Sequence, residues 1–194
     1  MRNDKISHAF NDVRRPKIHI IPAKIVDCGL ELVQVAHRLE LKHQVNVFHK
    51  TFRTSRGKYT KSGIYIDSTM PGAPLTFIHE LGHHLDYEEL GRVFHKPCST
   101  ESGSELSRLV RLMRASKTYH VIISDEDLSN YKRRYYASAV ELWARAYTQF
   151  VIRRCIDAGF TFDNMPNQPF KWEDKDFDPI YAEIMEVFSA RGWV

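Results

Sequence analysis

A dense turn signal followed by a long stretch with helical periodicity constrains this chain more than any other feature. The turn is Met70-Pro71-Gly72-Ala73-Pro74, and Pro74 suits the first turn of a helix because an N–H there has no partner within the helix. The stretch that follows, Leu75 to about Leu90, is predicted to be helical. It contains two histidines four residues apart, so both imidazoles lie on one face of that helix.

The two histidines belong to the sequence His79-Glu80-Leu81-Gly82-His83. Such a pair can present its nitrogens to one metal ion at about 2.0–2.1 Å, and the carboxylate of Glu80 can take a proton from water activated by that ion. Ten of the 194 residues are His, and roughly 0.03 chance matches to this pattern are expected. The pattern therefore predicts a Zn2+ site with Glu80 as general base, in preference to a surface helix with exposed histidines.

The segment Thr76–Asp86, TFIHELGHHLD, resembles the active-site helix of zincin peptidases. No Gly-x-x-His continuation follows His83, which argues against metzincins, because their third metal ligand is a histidine at that point. The segment Val140–Tyr147, VELWARAY, is similar to the second helix of gluzincins, which carries a glutamate ligand. It is most like their phage and mobile-element relatives, and the glutamate at the matching position is Glu141.

This resemblance implies a zinc metallopeptidase that hydrolyses peptide bonds. The ligands of Zn2+ would be His79, His83 and Glu141, with Glu80 activating the water. Zincins also place a sheet edge just before the active-site helix, so the strand expected at Gly63–Asp67 would align an extended protein or peptide substrate. An alternative is a non-catalytic zinc-binding accessory protein of a phage or mobile element that acts through a binding partner.

Other interpretations of the third ligand remain open. Ser138 followed three residues later by Glu141 is a capping-box pattern, and Glu141 and Arg145 are spaced for an ion pair on one helix. Asp86 is a rival ligand because it shares a helical face with the two histidines, although its short side chain favours a supporting position beside them. Arg145 is expected to orient Glu141 or to hold Asp86.

Peptide hydrolysis also needs a hydrogen-bond donor near the developing oxyanion. Four side chains are candidates, and the sequence does not choose among them: Tyr135, Tyr136, Tyr147 and His120. His84 points about 100° away from its neighbour His83, so we expect it to be packed or exposed instead of ligating. His95 and Cys98 lack the partners that a second metal site needs.

The remaining periodicities predict an α+β, zincin-like fold in one domain spanning residues 1–194. A small N-terminal mixed sheet would accompany the active-site helix, and the C-terminal half would be helical. The predicted strands are Lys17–Lys24, Gln44–His49 and Gly63–Asp67. The predicted helices are Leu30 to about Lys42, Leu75 to about Leu90, a short one over Leu106–Met113, Asp125–Tyr136, Ala139–Arg154 and Pro179–Ala190.

Composition limits the class of protein and its surroundings. Hydrophobic residues make up 43% and charged residues 27%, which is typical of a globular chain and not of a disordered one. No CxxC pair, apolar leader or run of about 18 apolar residues is present, which favours a cytoplasmic protein without membrane contact. The net charge of +4 and the basic residues near 108–117 and 132–134 allow nucleic-acid contact, but a solvated helix face is favoured.

Overall fold

A computed structural model describes residues 13–14, 23–39, 41, 45–91, 95–162 and 170–194. It contains a small mixed sheet and a larger helical part. None of the helices in these ranges is long and apolar enough to cross a lipid bilayer. The strands are β1 (Val13–Arg14), β2 (Val45–His49), β3 (Gly57–Thr60) and β4 (Gly63–Ile66). The helices are α1 (Ala23–Ala36), α2 (Ala73–His84), α3 (Ser107–Ala115), α4 (Lys117–Ser124), α5 (Asn130–Tyr136), α6 (Ala139–Asp157) and α7 (Asp174–Ala190).

The sheet has the strand order β1-β2-β4-β3. β2 pairs in parallel with β1 and with β4, whereas β3 pairs with β4 in the antiparallel sense. Lys61 and Ser62 join β3 to β4 as a hairpin whose last pair is Thr60 with Gly63. The expectation that Gly63–Asp67 forms the sheet edge is therefore wrong, because β4 has a neighbour on both sides and β3 is the edge strand of the described sheet.

Helix α2 packs between the sheet and the helices α1 and α6, and the hydrophobic core lies at these contacts. Its fully buried side chains include Val47 and Ile64 from the sheet, Phe77 and Ile78 from α2, and Trp143 from α6. Burying each such side chain contributes about 1.5–3 kcal/mol. A site on α2 is therefore held by packing from both sides.

Several predicted elements are confirmed in type and position. β2 and β4 match the predicted strands, and α2, α3 and α6 match the predicted helices with small differences at their ends. After α2 the backbone continues as a π-helical turn, Leu85–Glu89, and the loop predicted next contains a short 3-10 turn, Cys98–Thr100.

The first helix differs from its prediction. It spans Ala23–Ala36, whereas the sequence predicted a helix from Leu30 to about Lys42. Val26 and Val33, two helical turns apart, are both fully buried, so the amphipathic pattern begins earlier than we expected. Most of the strand predicted at Lys17–Lys24 lies outside the described residues, but its last two residues belong to this helix.

Two corrections in the helical half follow from serine caps. α4 was not predicted at all; it begins after Ser116, whose Oγ accepts a hydrogen bond from the Tyr119 N–H at 3.2 Å. α5 begins at Asn130 and not at Asp125, because the Ser129 Oγ accepts from the Lys132 N–H at 3.3 Å. A serine in this position satisfies a backbone donor that the helix leaves unpaired.

The last helix begins at Asp174, before the predicted start at Pro179, which lies inside it. Proline has a helical φ, and as the sixth residue of this helix it removes one intrahelical hydrogen bond, because it has no N–H. Asp176 in the first turn also links this helix to α4, because its carboxylate accepts from the backbone N–H groups of Lys117 and Thr118 at 3.0 and 3.1 Å. Acidic residues are favourable at a helix N-terminus.

Candidate metal centre

Helix α2 starts at a tight backbone turn and carries both histidines. Gly72 precedes it with φ 80°, a left-handed conformation that glycine adopts without strain, and Pro74 lies in the first turn. His79 and His83 lie one turn apart on the side of α2 that faces the start of α6, and their ring centroids are 4.9 Å apart. The helix therefore presents both imidazoles to the same space.

The structure brings His79, His83 and Glu141 together. The Nε2 atom of His79 lies 3.5 Å from Oε1 of Glu141, and Nε2 of His83 lies 3.7 Å from Oε2. Two ligands at 2.0–2.1 Å from one tetrahedral ion are about 3.4 Å apart. The one donor atom that each side chain offers lies within 4.8 Å of the others, and no other His, Cys, Asp and Glu group in the described residues is comparable.

Burial at these three residues suits a bound cation. The side chain of Glu141 is 6% exposed and its Oε2 atom has no hydrogen-bond partner among the described groups, whereas His79 and His83 are 21% and 13% exposed. A buried carboxylate oxygen without a partner is costly unless a positive charge compensates it. Burial raises the pKa of Glu141, but the two imidazoles outweigh this effect and hold it well below its usual range.

Small residues let α6 approach α2 closely. A side chain on Gly82 would come within 3.0 Å of Cδ1 of Tyr147 and 3.2 Å of Cα of Ala144. The indole N–H of Trp143 donates to the Gly82 carbonyl oxygen at 2.7 Å. At the start of α6, Ser138 Oγ accepts from the Glu141 N–H at 3.3 Å. The backbone of Glu141 is thus capped while its side chain turns toward the histidines.

Glu80 lies on the face of α2 next to that of the two histidines, close enough to interact with His83 and Glu141, and it packs against the edge strand β3. It is 6% exposed, and its carboxylate accepts a hydrogen bond from the backbone N–H of Tyr59. Gly57 leaves room for it, since a Cβ on that residue would lie 2.8 Å from Oε1 of Glu80. Burial raises the pKa of Glu80 to about 7, with Glu141 adding to the rise and His83 opposing it. A carboxyl group in this range can accept and return a proton at neutral pH.

Asp86 and Arg145 do not contact the same residues. The two carboxylate oxygens of Asp86 accept from the backbone N–H and the hydroxyl of Ser99, both at 2.7 Å. Burial raises the pKa of Asp86 to about 6, although these hydrogen bonds oppose the rise. Nε of Arg145 lies 3.9 Å from Oε1 of Glu141, and its Nη2 donates to the Tyr136 carbonyl oxygen at 2.6 Å. Arg145 therefore adjoins Glu141, and Asp86 anchors the segment around Ser99.

Of the four candidate oxyanion donors, Tyr135 is the one that lies near Glu141 and Glu80. Burial raises the pKa of Tyr135, and the nearby carboxylates of Glu141 and Glu80 raise it further. By contrast, Tyr147 is fully buried and its hydroxyl lies 2.9 Å from Nε2 of His37. The ring of Tyr136 lies beside the Arg145 guanidinium, and His120 lies against Tyr119.

The remaining histidines near the motif serve other contacts. His84 is buried, with Nε2 3.6 Å from Oε1 of Glu89, and its ring packs edge-on against Tyr59. Nδ1 of His95 lies 2.5 Å from Oε1 of Glu88. His95 and Cys98 therefore do not form a metal group with other described residues.

Sequence reasoning missed the contribution of β3 to the site. Gly57 and the Tyr59 backbone shape the surroundings of Glu80, yet the sequence predicted no strand at Gly57–Thr60. The signal that predicts it is the spacing: two short runs separated by two residues, Lys61 and Ser62, are typical of a hairpin.

Comparison with known proteins finds no matching family model, no matching curated protein and no matching solved structure. Any function must therefore be inferred from the geometry and chemistry of the site.

Proposed function

We propose that the chain is a zinc-dependent metallopeptidase with a zincin-like arrangement of its site. The observation that carries this proposal is the convergence of two imidazole nitrogens and one buried carboxylate at separations of 3.5 and 3.7 Å. Glu80 adjoins His79 on the same helix and is buried with a raised pKa. Two histidines, a glutamate ligand and a neighbouring base form the set that metal-assisted hydrolysis requires.

His79, His83 and Glu141 would hold the ion. When bound, Zn2+ supplies a Lewis acid that polarises a carbonyl group and makes water more acidic. Glu80 then takes the proton of the attacking water and returns it to the leaving amine. The partial exposure of the two histidines leaves the site open on one side, as substrate access requires.

Tyr135 is the donor that we propose for the developing oxyanion. Its side chain keeps contact with solvent, since the residue is 47% exposed, and it lies close enough to Glu141 and Glu80 for both carboxylates to raise its pKa. Phenol is a strong donor to a negatively charged oxygen. A substrate that enters from solvent would therefore meet this hydroxyl beside the ligands.

The edge strand β3 is the proposed docking site for an extended polypeptide. Tyr59 lies in this strand and binds Glu80 through its backbone N–H, so the strand passes directly beside the proposed base. A peptide that pairs with a strand edge binds mainly through its own backbone. This mode of binding gives little sequence preference.

Metal analysis and turnover test the proposal together. The purified protein is expected to contain about one zinc per chain by elemental mass spectrometry, and Glu141→Ala to lower zinc affinity by at least about 100-fold. Glu186→Ala is the matched control, because the side chain of Glu186 is 65% exposed and pairs with Arg108. Zinc content that is equal in the wild type and Glu141→Ala would contradict the ligand assignment.

Glu80→Gln separates catalysis from metal binding. We expect this variant to retain zinc and to lose about 1,000-fold in turnover of dye-labelled casein, because the amide cannot take the proton from water. Unchanged turnover would exclude Glu80 as the base. If the wild type binds zinc but cleaves no more casein than Glu80→Gln does, the result favours the non-catalytic accessory protein.

A further inference from the structure

One face of the sheet carries aromatic and basic side chains. The register places Phe48 opposite Tyr65 and Lys58 opposite Tyr65, so these three side chains share a face. Their neighbours Val47 and Ile64 point the other way and are fully buried in the core. We define the outer face by five residues: Phe48, Lys50, Phe52, Lys58 and Tyr65.

The rings of the outer face are stacked and held in place. The Phe48 and Tyr65 rings are parallel to within 15°, with centroids 4.7 Å apart, and the Tyr65 hydroxyl lies 3.0 Å from the Ser62 hydroxyl. The ammonium group of Lys50 lies 5.7 Å from the centroid of the Phe52 ring and 5.9 Å from that of Tyr65. Flat π surfaces therefore lie next to a cation on a rigid strand pair.

The segment that forms this face holds the excess positive charge of the chain. Five of the 28 Lys and Arg residues and none of the 24 Asp and Glu residues fall within 45–66, so the rest of the chain carries a net charge of −1. All five are exposed, and in the described residues none of them has an acidic partner. They are Lys50, Arg53, Arg56, Lys58 and Lys61.

Two basic residues of the helical half are engaged in contacts of their own. Arg108 pairs with Glu183 and Glu186 at 3.0 and 2.9 Å. The guanidinium of Arg133 donates to the carbonyl oxygens of Asp125 and Leu128 at 2.6 and 3.2 Å. On the sheet, exposed cations without an acidic partner among the described residues share one face with two stacked aromatic rings.

We propose that the outer face binds single-stranded nucleic acid. Bases stack on aromatic rings while lysine and arginine contact the phosphates, and every base has a π face, so this recognition tolerates many sequences. An acidic peptide would use the cations but gain nothing from stacked rings. A duplex would hide its bases from the rings.

This binding is independent of the proposed peptidase activity. Gly57 lies beside Glu80 on the side of the sheet that faces α2, whereas Phe48 and Tyr65 are on the opposite side. A nucleic acid could thus bind without occupying the metal centre. Glu80→Gln and Glu141→Ala are expected to bind oligonucleotide as the wild type does, whatever their turnover and zinc content.

Fluorescence anisotropy with labelled dT12 and U12 tests the proposal. If four phosphates are contacted, the affinity of a single strand falls about 50-fold between 50 and 200 mM NaCl. We expect the 12-base-pair duplex and polyglutamate, added as competitors, to displace the labelled strand less effectively than unlabelled dT12. Displacement by polyglutamate that matches dT12 would overturn the proposal, since it would show binding by charge alone.

Paired variants separate stacking from charge. Replacing Phe48 and Tyr65 together by Leu keeps apolar area but removes both rings, and is expected to weaken dT12 binding by about 10-fold or more. The double variant of Lys50→Ala with Lys58→Ala is expected to lose about two phosphate contacts. The slope of log affinity against log salt concentration should become shallower in proportion. The control removes the same charge from α5, where Lys132 and Arg134 are exposed. Equal losses in the control and the sheet variants, or full binding without the rings, would exclude this face as the site.

Discussion

Three buried carboxylates near the candidate metal centre have different surroundings. Glu141 faces two imidazoles, which hold its pKa low and keep it charged. Glu80 has one backbone N–H and an apolar setting, so its pKa rises to about 7. Asp86 is held by Ser99. A metal ligand must stay ionised and a general base must accept a proton, so these environments suit the roles that we propose for Glu141 and Glu80.

Tyr135→Phe removes a single hydroxyl group from the candidate site and tests its role in the proposed reaction. Removing the hydroxyl is expected to leave zinc bound and KM nearly unchanged, and to lower kcat by about 100-fold, because one oxyanion donor is lost. The measurement is steady-state cleavage of a fluorogenic peptide. Tyr131→Phe is the control, since Tyr131 lies one turn earlier on α5 and is 79% exposed. Equal rates for both variants would show that Tyr135 plays no part in the reaction.

At the scale of elements, the site depends on the close approach of three of them. α2 supplies the histidines and Glu80, α6 supplies Glu141, and β3 closes the space around Glu80. The contact of α2 with α6 requires Gly82 and Ala144, whereas its contact with β3 requires Gly57. Small residues therefore set the distances between elements, which in turn set the distances between donor atoms.

Gly57→Ala is expected to reduce turnover far more than stability. The new methyl group would lie 2.6 Å from Cγ2 of Thr76 and 2.8 Å from Oε1 of Glu80, so the Glu80 side chain must move. A displacement of about 1 Å at a reacting group can cost about 100-fold in rate. Peptidase assays and urea unfolding measure the two effects.

The double variant of Gly57→Ala with Thr76→Ser separates the effect on turnover from the effect on stability. Thr76→Ser removes the methyl group that the new Cβ meets first, so part of any lost stability should return while turnover stays low. Thr76→Ser alone is expected to keep wild-type turnover. Full turnover in Gly57→Ala would contradict the placement of Glu80 against β3.

At the scale of the whole molecule, His37 joins the end of α1 to α6 and to the C-terminal segment. Its Nε2 lies 2.9 Å from the Tyr147 hydroxyl and its Nδ1 lies 3.0 Å from the Arg38 carbonyl oxygen. The carbonyl can only accept, so the neutral ring donates from Nδ1 and accepts from Tyr147. The ring also packs against Phe188 and Trp193, with centroids at 4.7 and 5.8 Å. A proton on Nε2 would reverse the hydrogen bond with Tyr147 and place a positive charge in the buried core.

Stability is expected to depend on the protonation of His37. Burial lowers its pKa from 6.5 to about 4, so the unfolded chain takes up this proton first as the pH falls. The contribution of neutral His37 to the free energy of unfolding is complete above pH 6.5 and is lost progressively toward pH 4. The loss between pH 7 and pH 4.5 is about 2 kcal/mol. Urea unfolding of the wild type and His37→Gln at both pH values isolates it. The variant should be less stable at pH 7 and should lose less on acidification; equal losses would contradict this linkage.

The sequence by itself determined the elements whose signals are local. The turn before Pro74, the spacing of His79 and His83, and the periodicities of α2 and α6 need no partner to be recognised, because one helix places residues four apart on one face. Glu141 was reached through resemblance to a glutamate-bearing helix. Its competing interpretations, a cap and an ion pair with Arg145, were equally local, so the sequence could not exclude them.

Only the tertiary structure decided what depends on contacts between distant segments. The pairing of β3 with β4 moved the sheet edge next to Glu80, and the approach of α6 turned Glu141 toward the histidines. The choice of Tyr135 among four candidates and the shift in the pKa of His37 depend on burial and on neighbours far away in the chain. Distances between donor atoms are set by packing, and packing is a property of the folded chain as a whole.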